Sequence, residues 1–179
     1  MPSDIQIRRL SSIGESEIQG LSDVLIDCVE GGASVSFMLP MSRTKADTYW
    51  RNTGESLLRS ERLLLIAEDA PGTIIGTVQV IINQPENQPH RGDVTKMLVH
   101  RKARRQGVGA ALLTAAEQSA LSAGKTLLVL DTAGDEAARL YARQGWQRSG
   151  RIPNYALWPD GSPCDTTIFF KFLRGEAES

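Results

Sequence analysis

Arg101-Lys102-Ala103-Arg104-Arg105-Gln106-Gly107-Val108-Gly109-Ala110-Ala111-Leu112 stands where one kind of periodicity gives way to another. Before it, Asp93 to His100 carries Val94, Met97, Leu98 and Val99 and reads as a strand. After it, Gly107 to Ala123 sets Leu112, Ala115, Ala116 and Ser119 on one face and reads as a helix. The glycines therefore sit at a strand-to-helix turn. The first N–H groups of a helix have no intrahelical partner, and the helix dipole adds positive potential there. Arg101, Lys102, Arg104 and Arg105 strengthen that potential. The turn is an anion cradle suited to a pyrophosphate. A Walker A loop is excluded, because Gly109 is followed by Ala110-Ala111 and not by Lys-Ser/Thr. A dinucleotide fingerprint is excluded by Leu112, which stands where a small residue is needed.

Upstream of the turn lie three strand-like runs. Arg62 to Glu68 holds the continuous apolar run Leu63 to Ala67, Thr73 to Asn83 is rich in β-branched residues, and Asp93 to His100 follows a polar turn. These three predict an antiparallel meander. Earlier still, Ile5 to Leu10 alternates as a strand does, and 15–30 has helical spacing of Ile18, Leu21, Leu25 and Val29. Gly31-Gly32 suits the end of that helix. Ala33 to Met41 reads as a loop over something apolar, and Ser42 as the cap of a helix running to about Ser60. Downstream, Leu127 to Leu130 reads as a buried strand and Glu136 to Gln144 as a short helix stopped by Gly145. Trp146 to Ile152 and Thr166 to Phe172 read as closing strands, and Gly175 to Ser179 as a frayed tail. The order β-α-α-β-β-β-α-β-α-β-β predicts one α/β domain, a mixed sheet covered by helices.

The composition agrees with one ordinary globular domain. The chain has 179 residues, 41% hydrophobic and 23% charged. Twenty Lys and Arg stand against twenty-one Asp and Glu, so the bulk basicity of a dedicated nucleic-acid binder is absent. The basic run 101–105 also lacks the interleaved aromatics of a base-stacking surface. The two cysteines, Cys28 and Cys164, lack metal-ligand spacing and are too few for a disulfide scaffold. With no signal-peptide pattern at the start, the expectation is a reducing cytoplasm, with neither metal nor membrane span.

Two motifs bear on family. Arg104, Gly107 and Gly109 fill the pattern Arg/Gln-x-x-Gly-x-Gly/Ala, which resembles the acetyl-CoA pyrophosphate loop of the GNAT superfamily of N-acetyltransferases. Ala138-Arg139-Leu140-Tyr141-Ala142-Arg143-Gln144-Gly145-Trp146 is similar to that superfamily's run of a helix carrying Leu-Tyr, then Gly and an aromatic. The resemblance implies a GNAT-like, mostly antiparallel sheet, with acetyl-CoA as co-substrate and a small-molecule amine as acceptor. Further segments are Gly31 to Met38, Val129-Leu130-Asp131-Thr132, Pro153-Asn154-Tyr155 with Pro159-Asp160-Gly161, and Ile168-Phe169-Phe170-Lys171. They are similar to a branch of the superfamily that acetylates the amino group of a dipeptide-derived β-lactam toxin.

The resemblance also implies roles. Asp93 and Asp131 match general bases, Tyr141 the donor of a proton to the departing thiolate, and the backbone of Met97, Leu98 and Val99 the seat of the acetyl carbonyl. Arg104, Arg105, Gln106, Gly107, Val108, Gly109 and Ala110 match the pyrophosphate loop. Phe37, Met38 and Tyr155 match a substrate wall. On residue type alone, Asp93 and Asp131 read first as turn formers or caps, and Tyr141 as core. Cys28 reads as a small buried apolar residue, and His90 and His100 as solvated loop residues. A non-catalytic acyl-CoA-binding regulatory module keeps the glycine turn but needs no Tyr141, and is the competing class. Monomer and dimer both stay open.

Overall fold

Leu63, Leu64, Leu65, Ile66 and Ala67 are five consecutive apolar residues, and a strand can bury all five only if both of its faces are covered. A computed structural model, which describes residues 4–174, shows how. Leu63, Leu65 and Ala67 face one core, and Leu64 and Ile66 face another. The strand that carries them, β2 (Arg62–Glu68), lies inside a seven-stranded sheet. The other strands are β1 (Gln6–Leu10), β3 (Ile74–Ile81), β4 (Arg91–Val99), β5 (Leu127–Thr132), β6 (Gln147–Leu157) and β7 (Pro163–Phe172). Their order is β1-β2-β3-β4-β5-β7-β6. Only β4 and β5 run parallel; every other neighbouring pair is antiparallel. The meander read over 62–100 is β2-β3-β4, and the element order is the one the sequence predicts.

Helices α1 (Glu15–Glu30) and α2 (Arg43–Leu58) contribute Leu21, Val24, Leu25 and Trp50 to one core. Helix α3 (Val108–Ser122) contributes Leu112, Leu113 and Ala116 to the other, where α4 (Asp135–Arg143) adds Tyr141. The ends of these helices follow from their sequences. After α1 the N–H of Gly32 reaches the carbonyl of Val29, and that of Ala33 the carbonyl of Cys28, each at 3.0 Å. This is a Schellman closure, and it needs the positive φ of +92° that Gly32 adopts. The hydroxyl of Ser42 accepts from the Lys45 N–H at 3.1 Å, as an N-cap does.

The last two strands run longer than the sequence suggests. The strand read over Trp146 to Ile152 continues as β6 through Pro153 to Leu157. β6 is the outermost strand of the sheet, where a missing N–H costs no ladder bond. A register shift between Ile152 and Ala156, with Asn154 at φ +53°, carries the strand past the proline. The tail Gly175 to Ser179 lies outside the described residues. Among the described residues no helix is long and apolar enough to cross a membrane. Both cysteines are free and buried, and burial pushes the Cys28 thiol up to about 11.

Helix α3 lies directly against β3. A Cβ on Gly76 would meet Val108 Cγ1 at 3.0 Å and Leu112 Cδ1 at 3.1 Å. Gly76→Val should therefore push α3 off the sheet and destabilise the protein by about 1–3 kcal/mol, the usual range for overpacking. A lower urea midpoint measures this; an unchanged midpoint would show that α3 is not seated as described.

Candidate active site

The parallel pair β4 and β5 is joined only over Arg91–Asp93 and Leu127–Val129. Beyond that point the strands part. The edge of β4 that would have paired with β5 is then open from Val94 onward, and unpaired backbone groups require another partner. The gap opens into a cleft of about 990 Å³. Its walls come from β4, the glycine turn, α4, the loop after α1 and the β6–β7 hairpin. That loop is tied across to the hairpin: the Leu39 N–H donates to the Pro159 carbonyl at 3.1 Å, and the Ser34 hydroxyl to the Leu157 carbonyl at 3.2 Å.

One end of the cleft is the glycine turn. A single 3₁₀ turn, Arg101–Ala103, follows β4, and α3 begins at Val108. Arg105 has φ +61° and Gly107 φ +79°, so the chain is left-handed twice before the helix starts. Gly107 is the N-cap and gives no side-chain cap. The first helical bond runs from the Ala111 N–H to the Gly107 carbonyl at 3.0 Å. The preceding N–H groups, of Val108, Gly109 and Ala110, lie ahead of the ladder and line the cleft. Gly109 has a further reason to be glycine: a Cβ there would stand 3.0 Å from Leu140 Cδ2. It lets α4 close against α3, as well as leaving room for a ligand.

The turn is anchored from behind. Asp27, in the last turns of α1, accepts from the Arg101 N–H at 2.8 Å and from Arg101 Nε at 3.0 Å. Burial opposes ionisation of Asp27, but the bonds from Arg101 outweigh it and hold the carboxyl below its ordinary range. His100, read as a solvated loop residue, is part of this anchor: its Nδ1 accepts from the Lys102 N–H at 3.2 Å.

Midway along the cleft is a β-bulge. Gln79 pairs with Thr95 and Thr77 with Leu98, so Val78 faces both Lys96 and Met97. Lys96 takes φ +52°. Such an extra residue drops out of the ladder and leaves backbone groups for a ligand. Met97, Leu98 and Val99 all line the cleft here, although the Leu98 side chain is buried in the α1–α2 core.

Across from the bulge are Tyr141 on α4 and Asp131 on β5, both facing the cleft. Tyr141 is buried and packs against Trp146 and Phe169, with ring centroids 5.8 and 5.9 Å away. Burial, and then the negative charge of Asp131, push its phenol well above its ordinary pKa. Asp131 is exposed, and its Oδ2 accepts from the Thr166 hydroxyl at 2.9 Å. Asp93 is not in this group. It sits where β4 and β5 are still paired, before the cleft opens, and its carboxylate is taken by the Arg91 guanidinium and by Gln84 Nε2 at 3.0 Å. The crevice lies at the C-terminal ends of these strands, and Asp93 is near the start of its own, which corrects the expectation that it shares the site with Asp131.

Phe37, Met38 and Tyr155 all line the cleft. Phe37 packs edge-on to Tyr49 with centroids 5.2 Å apart. Three residues join them that the sequence reading passed over. Arg139 and Arg143 lie four apart on α4, a spacing that puts both on one face of the helix, and both line the cleft. Lys96 had no sequence signal, because only the bulge turns it into the cleft.

The family model described as the acetyltransferase (GNAT) family matches residues 34–146. An uncharacterized N-acetyltransferase in the hisH-hisA intergenic region of Azospirillum brasilense is 26% identical over 161 residues, covering 87% of this chain and 94% of that protein. In fold the chain is similar to yncA of Salmonella typhimurium, solved with its cofactor acetyl-CoA, at TM-score 0.77 and 17% identity over 99% of this chain and 98% of that one. It is similar also to an N-acetyltransferase from Staphylococcus aureus Mu50, at TM-score 0.78 and 16% identity over 96% and 100%. The chain belongs to the GNAT acetyltransferase family, and acetyl-CoA is its co-substrate.

The residues present fit that co-substrate. Its pyrophosphate matches the three leading N–H groups of α3, with Arg104 and Arg105 beside them, and the open edge of β4 offers donors to an acetyl carbonyl. Gly109→Glu should abolish this fit by placing a carboxylate in the cradle and a Cβ against Leu140. Calorimetric titration of acetyl-CoA should give at least a hundredfold weaker binding, of the order of two charge-assisted hydrogen bonds lost. Unchanged affinity would remove the glycine turn from the site.

Proposed function

We propose that this protein transfers the acetyl group of acetyl-CoA directly to the amino group of a small, amino-acid-like molecule. The observation that carries it is the meeting, in one cleft, of the glycine turn, the open bulge, Asp131 and Tyr141. The bound acetyl-CoA supplies an activated acyl group and a thiolate leaving group. The chain's residues do the rest. The N–H groups freed at the Lys96–Met97 bulge polarise the carbonyl. Asp131, oriented by Thr166, binds the incoming ammonium and takes its proton. Tyr141 holds a proton for the thiolate. Its raised pKa keeps it in the donor form at neutral pH, as that role requires.

The acceptor class is drawn from two supports. Phe37, Met38 and Tyr155 line the same cleft as Asp131, and a concave, partly apolar cleft suits a small molecule. The loop Gly31 to Met38 and the segment Pro153-Asn154-Tyr155 resemble those of the tabtoxin resistance protein, which favours a toxin or antibiotic-like amine such as a β-lactam amino acid. The two buried free thiols accord with work in the reducing cytoplasm. The alternative, an acyl-CoA sensor without catalysis, has no use for a buried, up-shifted tyrosine in the cleft.

Screening amines with acetyl-CoA, beginning with β-lactam amino acids, tests the reading by release of the CoA thiol. Tyr141→Phe should lower kcat by about 10²–10⁴, the usual worth of a positioned acid, while acetyl-CoA still binds. Full activity in that variant would return the sensor to favour. The pH profile is a separate check. A raised pKa means that the donor form is present below the folded value and is lost only above it. The rate should therefore hold through about pH 10, where an ordinary phenol is already half ionised. A fall centred below pH 9 would contradict the donor role.

A further inference from the structure

The bulge sets the direction of Lys96. Val94 packs into the core beneath α3. A side chain two residues further along a regular strand would follow it there. The extra residue in the bulge breaks that alternation, and Lys96 turns instead to the α1–α2 side. Its Nζ donates to the Ser36 hydroxyl at 3.0 Å and stands 5.9 Å from the centre of the Tyr49 ring. Ser36 also has a positive φ, +79°, so both partners of this bond hold sparsely populated backbone conformations. Both line the cleft together with Phe37 and Met38.

The ammonium is incompletely satisfied. It has three donors, and among the described residues it forms no ion pair. Burial lowers its pKa; Asp131 raises it and Arg62 lowers it. A half-buried cation without a carboxylate is costly, and an anionic group arriving beside it relieves that cost. Asp131 feels the charge of Lys96 but does not pair with it. The cleft thus presents a fixed negative group and a fixed positive group that do not neutralise each other.

We propose that Lys96 binds the carboxylate of the acceptor, so that the substrate is an amino acid with a free carboxylate, its amine directed to Asp131. This rests on the transferase reading above and adds a specificity-determining residue to it. Asp131 and Lys96 together recognise a zwitterion, and Phe37, Met38 and Tyr155 take the side chain. Amines without a carboxylate leave the Lys96 ammonium as it is and gain nothing from it.

Matched pairs test this: the common L-amino acids, and β-lactam amino acids, against their carboxamides, each assayed with acetyl-CoA by thiol release. For whichever acid is turned over, kcat/KM should exceed that of its carboxamide by roughly ten- to hundredfold, the worth of a hydrogen bond to a charged group. Lys96→Met should collapse that ratio towards one, chiefly through KM of the acid, and Lys96→Arg should keep most of it. A merely structural lysine would lower both members of a pair together and leave the ratio intact, which overturns the proposal. So does a wild-type protein that prefers carboxamides or carboxylate-free amines such as tyramine or spermidine, although the transferase reading then stands. If acetyl-CoA binds and no amine of either kind is turned over, the transferase reading fails, and this inference falls with it.

Discussion

The parting of β4 from β5 after Asp93 and Val129 is the constraint on which the rest of the molecule depends. Parallel neighbours in a sheet ordinarily stay paired, because a buried backbone group left without a partner is costly. Here three register pairs hold the strands together, and the remaining length of each is given to the cleft. On the far side, β4 is held by β3 along its length except at the bulge. On β5, the antiparallel partner β7 runs from Leu127 through Thr132. The two halves of the sheet are therefore each rigid, and the gap between them is a built feature. A ligand that threads it meets unpaired backbone on one wall and α4 on the other.

The electrostatics follow from that geometry. The glycine end of the cleft is positive through Arg104, Arg105, Arg139 and Arg143, as well as the start of α3. The middle carries Asp131, whose charge is felt by Tyr141 on one side and by Lys96 on the other. Tyr141 is kept neutral by burial, and Asp131 reinforces this, since a second negative charge nearby is unfavourable. The site thus sorts its groups by environment. An exposed carboxylate, Asp131, stands near a buried phenol, Tyr141, that keeps its proton. Asp27 links this chemistry to the scaffold, because it fixes Arg101 and with it the turn from which α3 starts.

Much of this was legible in the residues. The continuous apolar run 63–67 announced a strand of the meander, and Gly107 and Gly109 announced the turn. Their reasons differ more than the sequence could say. Gly107 is needed for its φ of +79°, whereas Gly109 is needed for the close approach of Leu140. The strand ending read at Ile152 fell short, because a proline such as Pro153 is tolerated on an edge strand, and nothing local tells an edge strand from a central one. Asp93 and Asp131 looked equivalent, each at one end of a strand. Which end faces the crevice depends on where β4 and β5 part, a long-range property. Lys96 was silent for a related reason: a one-residue bulge opposite Val78 reverses its direction without any change in composition.

Backbone ¹⁵N–¹H spectra during a titration with CoA test the central claim most directly. The amides of Gly107 to Ala110 and of Met97 and Leu98 should shift together and saturate at one affinity, while those of Asp93 and Gln84 stay in place. Shifts confined to other faces of the sheet, with the glycine turn and the bulge silent, would contradict the account.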